Sequence, residues 1–146
     1  MEILKFKAEH LEKVKMLSDD LFNDGWTITQ FENELKDDNA QSVVLIENSV
    51  LIGFLFAKVI CDDMEILNVG IHKEYQGKGY GKKLMEYILN FADVQNIKNV
   101  FLEVNDKNEK AKGLYLSFGF EENRRRKKYY GEEDGLELIK KIDKSN

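Results

Sequence analysis

Hydrophobic residues along this chain change several times between an alternating and a helical period, and the changes mark out its elements. Residues 2–7 (Glu-Ile-Leu-Lys-Phe-Lys) alternate and predict a strand. Leu11, Val14, Leu17 and Leu21 then keep helical spacing, and Asp24-Gly25 ends that helix. A second short helix is expected to carry Phe31 and Leu35 on one side, capped by Thr27 or Thr29. Residues 42–47 and 50–60 are β-rich runs, joined by a hairpin turn at Asn48-Ser49. A third such run covers 64–72. After a glycine-rich segment, Leu84, Ile88 and Phe91 share one face of a helix that reaches about residue 95. Residues 99–104 are apolar enough for a buried strand. Residues 108–118 predict a helix, with Ala111, Leu114, Tyr115 and Phe118 three or four apart and Gly119 as its stop. Residues 120–130 and 136–142 are expected to close an antiparallel pair. The order is β-α-α-β-β-β-α-β-α-β-β. A right-handed crossover is required if the strands within 64–104 lie parallel. The rest is antiparallel, so the pattern predicts a mixed α/β sheet and not a doubly wound nucleotide fold.

Between the third β-run and its helix stands Gln76-Gly77-Lys78-Gly79-Tyr80-Gly81. Alternate glycines let the backbone approach a ligand closely. Main-chain N–H groups feeding a helix N-terminus make an anion site, which suggests a bound phosphate or pyrophosphate. The segment lacks the GxxxxGK[ST] spacing of a P-loop and the GxGxxG spacing of a dinucleotide fold. It does satisfy Q/R-x-x-G-x-G/A through Gln76, Gly79 and Gly81. Lys78, Lys82 and Lys83 add positive charge beside it.

Length and composition narrow the picture. A chain of 146 residues is expected to form one domain, 1–146. With 42% hydrophobic and 34% charged residues it reads as an ordinary globular protein. A net charge of −5 disfavours generic nucleic-acid binding. A single cysteine, Cys61, excludes a disulfide framework and a cysteine-rich zinc site; two histidines, His10 and His72, without HExxH disfavour a zinc hydrolase. No metal is expected. Neither a signal-peptide core nor an apolar run of spanning length is present, so a cytoplasmic protein off the membrane is expected.

Several residues carry possible chemistry. Glu103 interrupts the apolar run 100–104. It either faces a cleft, where desolvation would raise its pKa toward that of a useful base, or faces solvent on a one-sided strand. Tyr115 shares a helix face with Ala111 and Phe118, and is either a core aromatic or a phenol able to donate a proton. Asn108 suits the N-cap of its helix. Arg124-Arg-Arg-Lys-Lys128 is either a solvated hairpin strand or a nucleic-acid surface, and Tyr129 and Tyr130 follow it. Trp26 either packs a mobile loop or anchors the second helix. Cys61 is expected as a buried or edge thiol, with nothing to support a nucleophile.

Gln76-x-x-Gly79-x-Gly81 resembles the acyl-coenzyme A loop of the GNAT acetyltransferases. Asn68-Val-Gly-Ile-His72, Tyr75-Gln76, Leu102-Glu-Val104, Asn108, Leu114-Tyr115, Gly119-Phe120 and Arg126-Lys-Lys-Tyr-Tyr130 are similar to segments of the bacterial ribosomal-protein alanine N-acetyltransferases. Asp24-Gly-Trp26 followed by Phe31 resembles their N-terminal Pro-Trp segment, with Gly25 in the proline's place. Leu136-Glu-Leu138 departs from their small, apolar ending. The resemblance spans nearly the whole chain. It implies a GNAT fold: a mixed, mostly antiparallel central sheet, splayed at the acyl-coenzyme A site and flanked by helices.

It further implies acetyl-coenzyme A as co-substrate. The loop Gly77, Lys78, Gly79, Tyr80, Gly81 and Lys82 would cradle the pyrophosphate after Gln76. The backbone of Val69 and Ile71 would pair with the pantetheine amides like an added strand. Gly70 between them would provide a bulge or splay. Asn108 would contact the coenzyme. By the same resemblance Glu103 is the general base, directly or through a water, and Tyr115 the acid that protonates the thiolate. The implied reaction is direct acetylation of a protein's α-amine, and the implied acceptor is the N-terminal alanine of a small-subunit ribosomal protein. A lysine, a polyamine or another small amine is the alternative acceptor, and a non-catalytic acyl-coenzyme A-binding module the alternative class. No direct nucleic-acid partner is expected, and the protein is expected as a monomer or weak dimer.

Overall fold

The computed structural model describes residues 1–142. Its strands are β1 (Glu2–Lys5), β2 (Val43–Glu47), β3 (Val50–Ile60), β4 (Asp63–Ile71), β5 (Asn99–Asn105), β6 (Glu121–Tyr130) and β7 (Glu133–Lys141). The α-helices are α1 (Leu11–Leu21), α2 (Ile28–Lys36), α3 (Tyr80–Val94) and α4 (Glu109–Ser117). The strands form one sheet in the order β1-β2-β3-β4-β5-β7-β6. Only β4 and β5 run parallel, joined through α3; the other neighbours are antiparallel. This is the mixed, mostly antiparallel architecture that the hydrophobic pattern predicts. Among the described residues, no helix is long and apolar enough to cross a membrane.

Strand alternation sends successive side chains into two cores. On one face, Leu55, Met64, Val100, Leu102, Leu136 and Leu138 pack with Leu84, Met85, Ile88 and Ala92 of α3, and α4 closes that layer. On the other, Val44, Phe54 and Phe56 pack with Val14 and Leu17 of α1 and Phe31 of α2. Trp26 belongs to this second core: its ring centroid lies 5.2 Å from Phe31 and 5.3 Å from Phe56. It anchors the start of α2 and is not a loop cover.

The feature that positions the site is a gap between the two parallel strands. β4 and β5 pair only from Asp63–Ile66 against Asn99–Leu102. Beyond that point β5 continues on β7, with Glu103 opposite Glu137 and Asn105 opposite Gly135. β4 continues on β3, but the register steps from Ala57↔Ile66 to Phe56↔Asn68 and leaves Leu67 as an extra residue. A bulge bends its strand and increases the local twist, so β4 turns away from β5. The bulge therefore lies at Leu67 and not at Gly70, which pairs in register with Phe54. Gly70 answers a packing demand instead. A Cβ there would sit 2.6 Å from Phe54 Cζ and 2.8 Å from Leu21 Cδ1.

Local details follow from residue chemistry. Asn48 and Ser49 both take left-handed φ values, 50° and 67°, which match the twist of a tight hairpin. Thr27, not Thr29, caps α2: its hydroxyl accepts from the Gln30 N–H at 3.2 Å while the Gln30 side chain accepts from the Thr27 N–H. Gly119, at φ 90°, ends α4. The first strand ends at Lys5, short of the expected bound, although the Phe6 N–H still donates to the Ser42 carbonyl at 2.9 Å. Cys61 is neither buried nor on an edge; it is exposed in the β3–β4 turn at φ 56°.

Candidate functional site

The splay exposes main-chain groups of β4. His72 N–H donates to the Ile52 carbonyl at 2.7 Å. By antiparallel alternation Gly70 bonds toward β3, so the N–H and C=O groups of Val69 and Ile71 point away from it, into the gap. The Ile71 carbonyl already accepts from Gln76 Nε2 at 2.9 Å. The Gln76 side chain thus ties the glycine segment back to the end of its strand.

That segment presents main-chain N–H groups to open space. Gly77 and Gly79 hold φ values of 76° and 88°, and a Cβ on either would meet nothing within 4 Å. The conformation demands glycine, and the space above it is open. Lys83 N–H bonds the Gly79 carbonyl at 3.2 Å, so the N–H groups of Tyr80, Gly81 and Lys82 come before the helical ladder begins. They point outward at the positive end of the α3 dipole. The Tyr80 phenol turns elsewhere and donates to Glu47 Oε2 at 2.8 Å; Glu47 also lies 3.3 Å from the terminal amine of Met1.

A cavity of about 690 Å³ runs from the splay over this loop to α4. The sequence-predicted residues Val69, Gly70, Ile71, Gln76, Gly77, Gly79, Tyr80, Gly81, Lys82, Asn108 and Tyr115 all line it. Lys78 does not; its Nζ lies 5.7 Å from the centre of the Tyr75 ring. The Asn108 side chain caps α4 by accepting from the Ala111 N–H at 3.1 Å. Sequence reasoning missed Lys110, Gly113 and Ser117, which also line the cavity. Their signal was present: they form a polar and small stripe at helical spacing beside Ala111, Leu114 and Phe118. Tyr115 packs at the cavity's inner end with its ring 6.0 Å from Phe120, and burial pushes its phenol pKa up. The group therefore stays protonated at neutral pH and can donate.

Glu103 is on the opposite face. Val100, Leu102 and Val104 point into the α3–α4 core, so Phe101, Glu103 and Asn105 point the other way. There the α1–α2 layer rests on β2–β4 and leaves β5 uncovered. Glu103 sits in a second cavity of about 280 Å³ with Glu65, Phe101, Arg126, Tyr129 and Glu137. Arg126 Nε approaches Glu103 Oε1 to 2.9 Å. Its N–H is not directed at that oxygen, and both carboxylate oxygens are buried without a hydrogen bond. Burial raises the Glu103 pKa above the usual carboxylate range; Arg126 opposes this and Glu137 adds to it. Of the two sequence alternatives, Glu103 takes the cleft.

The three arginines of the basic run pair with carboxylates of β7 and of β5 and its end. Arg124 faces Glu137 at 3.5 Å, and Arg125 lies 2.9 Å from both Asp106 and Asp134. Arg126 faces Glu103. Tyr129 lines this pocket, and the Tyr130 ring lies 4.9 Å from it; both are partly exposed.

Comparison with known proteins agrees with this geometry. The chain is 31% identical over 110 residues to the ribosomal protein bS18-alanine N-acetyltransferase of Haemophilus influenzae, covering 75% of this chain and 74% of that one. Its fold superposes on the crystal structure of the ribosomal-protein-S18-alanine N-acetyltransferase from Escherichia coli with a TM-score of 0.93, at 22% identity, covering 99% and 96% of the two chains. An N-acetyltransferase from Thermoplasma acidophilum, solved in complex with coenzyme A, matches with a TM-score of 0.81 at 20% identity over 97% and 98% of the chains. The sequence profile of the acetyltransferase (GNAT) family matches residues 8–120. The splayed sheet and glycine loop are thus those of an acyltransferase, and the chain belongs to the acetyltransferase (GNAT) family.

Proposed function

We propose that residues 1–146 act as one domain that transfers the acetyl group of acetyl-coenzyme A to the α-amine of a protein N-terminus. The observation that carries this reading is the end of the β4–β5 ladder at Ile66 and Leu102, with a cavity over the glycine loop on one face and a buried carboxylate on the other. The coenzyme enters from the α3–α4 face. Main-chain N–H groups of the loop Gly77–Lys82 hold its pyrophosphate, Lys82 adds charge, and Asn108 contacts it from the start of α4. The pantetheine runs along Val69 and Ile71, and a main-chain N–H polarises the thioester carbonyl. A ligand bound in complex with a neighbour of the same fold supports coenzyme A as the occupant.

The acceptor enters from the α1–α2 face. Its nitrogen attacks the thioester carbon while its proton passes to Glu103, directly or through a water. The C–S bond then breaks, and Tyr115 gives its phenolic proton to the departing thiolate. An α-amine has a free pKa of about 8, so deprotonation at neutral pH asks only for a modest base. A buried carboxylate with a raised pKa suits that task. The names of the relatives support the N-terminal alanine of a small-subunit ribosomal protein as the acceptor, met in the cytoplasm.

Mass spectrometry of short peptides incubated with acetyl-coenzyme A tests this reading. One set presents a free N-terminal alanine; the other has a blocked N-terminus and an internal lysine. The expected result is an acetyl gain only on free N-termini. A gain only on lysine, or only on polyamines, would overturn the acceptor assignment.

A further inference from the structure

The proposed base poses a problem that the established family membership does not resolve. A carboxylate with both oxygens buried and no hydrogen bond is costly to hold as an anion. We propose that Arg126 is a positioning residue for Glu103: its guanidinium holds the carboxylate in place and favours its charged form. This rests on the reading of Glu103 as the base.

The contact itself makes the case. Arg126 Nε is 2.9 Å from Oε1, yet its N–H is not aligned to that oxygen. A bidentate pair would occupy the lone pairs that a base must offer. Here the contact is a single close charge pair and not a bidentate one. Positive charge at this point also disfavours the ammonium form of an arriving amine.

The surrounding backbone is built for the contact. Gly135 is the cross-strand partner of Arg126. A Cβ there would lie 3.1 Å from Glu103 Oε2 and 2.9 Å from Tyr129 Cδ2, so glycine leaves the room that the Glu103 carboxylate and the Tyr129 ring take up over β7. The β6–β7 register then steps from Arg126↔Gly135 to Tyr130↔Glu133, which places extra residues on β6. Lys128 takes φ 54° in this bulge, and its N–H is held by Asp134 Oδ1 at 3.0 Å. In a regular strand, residues 126 and 129 would point to opposite faces. The bulge brings both to one face and sets the Tyr129 ring 5.0 Å from Arg126 Cζ. The guanidinium is thus held between an aromatic ring and the carboxylate.

The other charged groups that face Glu103 are Glu65 of β4, Glu137 of β7, and Arg124 and Tyr130 of β6. Arg124 is engaged with Glu137. Arg126 is therefore the cation whose removal should be felt at Glu103, in the direction its charge already acts.

The test is the pH dependence of kcat/KM for acetyl transfer to an N-terminal alanine peptide by Arg126→Met, Arg126→Lys and Glu103→Gln. In Arg126→Met the acid limb is expected to move up by about one pH unit or more, the effect of losing an adjacent cation. kcat should fall at neutral pH with KM for acetyl-coenzyme A unchanged, and Arg126→Lys should restore most of the limb. An acid limb that stays in place in a folded Arg126→Met, or a loss confined to the acceptor's KM, would overturn the proposal. If Arg126→Met fails to fold, Arg126→Gln against Arg126→Lys gives the same reading. A Glu103→Gln variant with an unchanged profile would overturn the base assignment itself. An inactive Glu103→Gln beside an unmoved Arg126→Met limb would overturn the role of Arg126 alone.

Discussion

Glu103 and Tyr115 stand on opposite faces of the sheet, with the opening between β4 and β5 between them. Tyr115 closes the inner end of the cavity over the glycine loop, and Glu103 closes a pocket on the face that α1 and α2 leave bare. In the proposed reaction, an acyl group held on one side and an amine arriving on the other would meet where the β4–β5 ladder stops. Two features accompany the gap: the extra residue Leu67 in β4, and the unbroken register of β5 with β7.

Gly70 supports that geometry by letting β4 lie close to the aromatic core. Gly70→Ala would drive a methyl group into Phe54 and Leu21. Overpacking of this kind costs about 1–3 kcal/mol. The expected result is a lower midpoint in thermal unfolding, by several degrees for a chain of this size. An unchanged midpoint would mean that the aromatic core yields at no cost.

Gly79 is different, because its Cβ would meet no atom and only its backbone conformation resists substitution. Left-handed φ in a non-glycine residue costs roughly 1–2 kcal/mol. Gly79→Ala should either strain or reshape the segment that presents the N–H groups of Tyr80 to Lys82. Calorimetric titration with coenzyme A should show affinity reduced about tenfold, a loss of roughly 1.4 kcal/mol. Retained affinity would argue against a main-chain anion site at this helix.

Acid stability should report the Asp106 network. Lys112 and Arg125 hold the Asp106 carboxyl down to about 2. Asp134, bonded by the Lys128 N–H and by Arg125, is lowered as well. Their folded pKa values lie below the unfolded value of about 3.9. The stability they contribute is therefore complete above the unfolded pKa and is lost as pH falls from about 4 toward 2. Asp106→Asn should be less stable than the parent at pH 7 and show a flatter decline over that acid range. Parallel acid-unfolding curves for the two proteins would contradict this.

The main elements were legible because each has a local signature. The alternation in 50–60, the helical stripe of Leu84 and Ile88, and Asn108 before an apolar helix all state their structure in a few residues. The conformation of the glycine loop was legible for the same reason: Gly77 and Gly79 take the left-handed φ values that alternate glycines allow. The rest depends on partners distant in sequence. The bulge at Leu67 exists only relative to the register of β3. Whether Glu103 faces a cleft depends on where the α1–α2 layer ends, which no feature of residues 99–104 reveals. Arg126 looked like one cation in a run of five, and its tie to Glu103 needs Gly135 and the bulge at Lys128 to be visible. Trp26 read equally well as a loop residue until Phe31 and Phe56 were seen around it.

The most direct measurement is a single-turnover acetyl transfer to an N-terminal alanine peptide, followed by rapid quench and mass spectrometry, with enzyme preloaded with acetyl-coenzyme A. Parent, Glu103→Gln and Tyr115→Phe would be compared, with coenzyme affinity measured for each. Positioned acid and base groups each typically supply about 10²–10⁴-fold. The account predicts that transfer falls at least tenfold in both variants while coenzyme affinity is retained. Transfer at the parent rate in either variant would contradict a reaction carried across the gap by groups on its two faces.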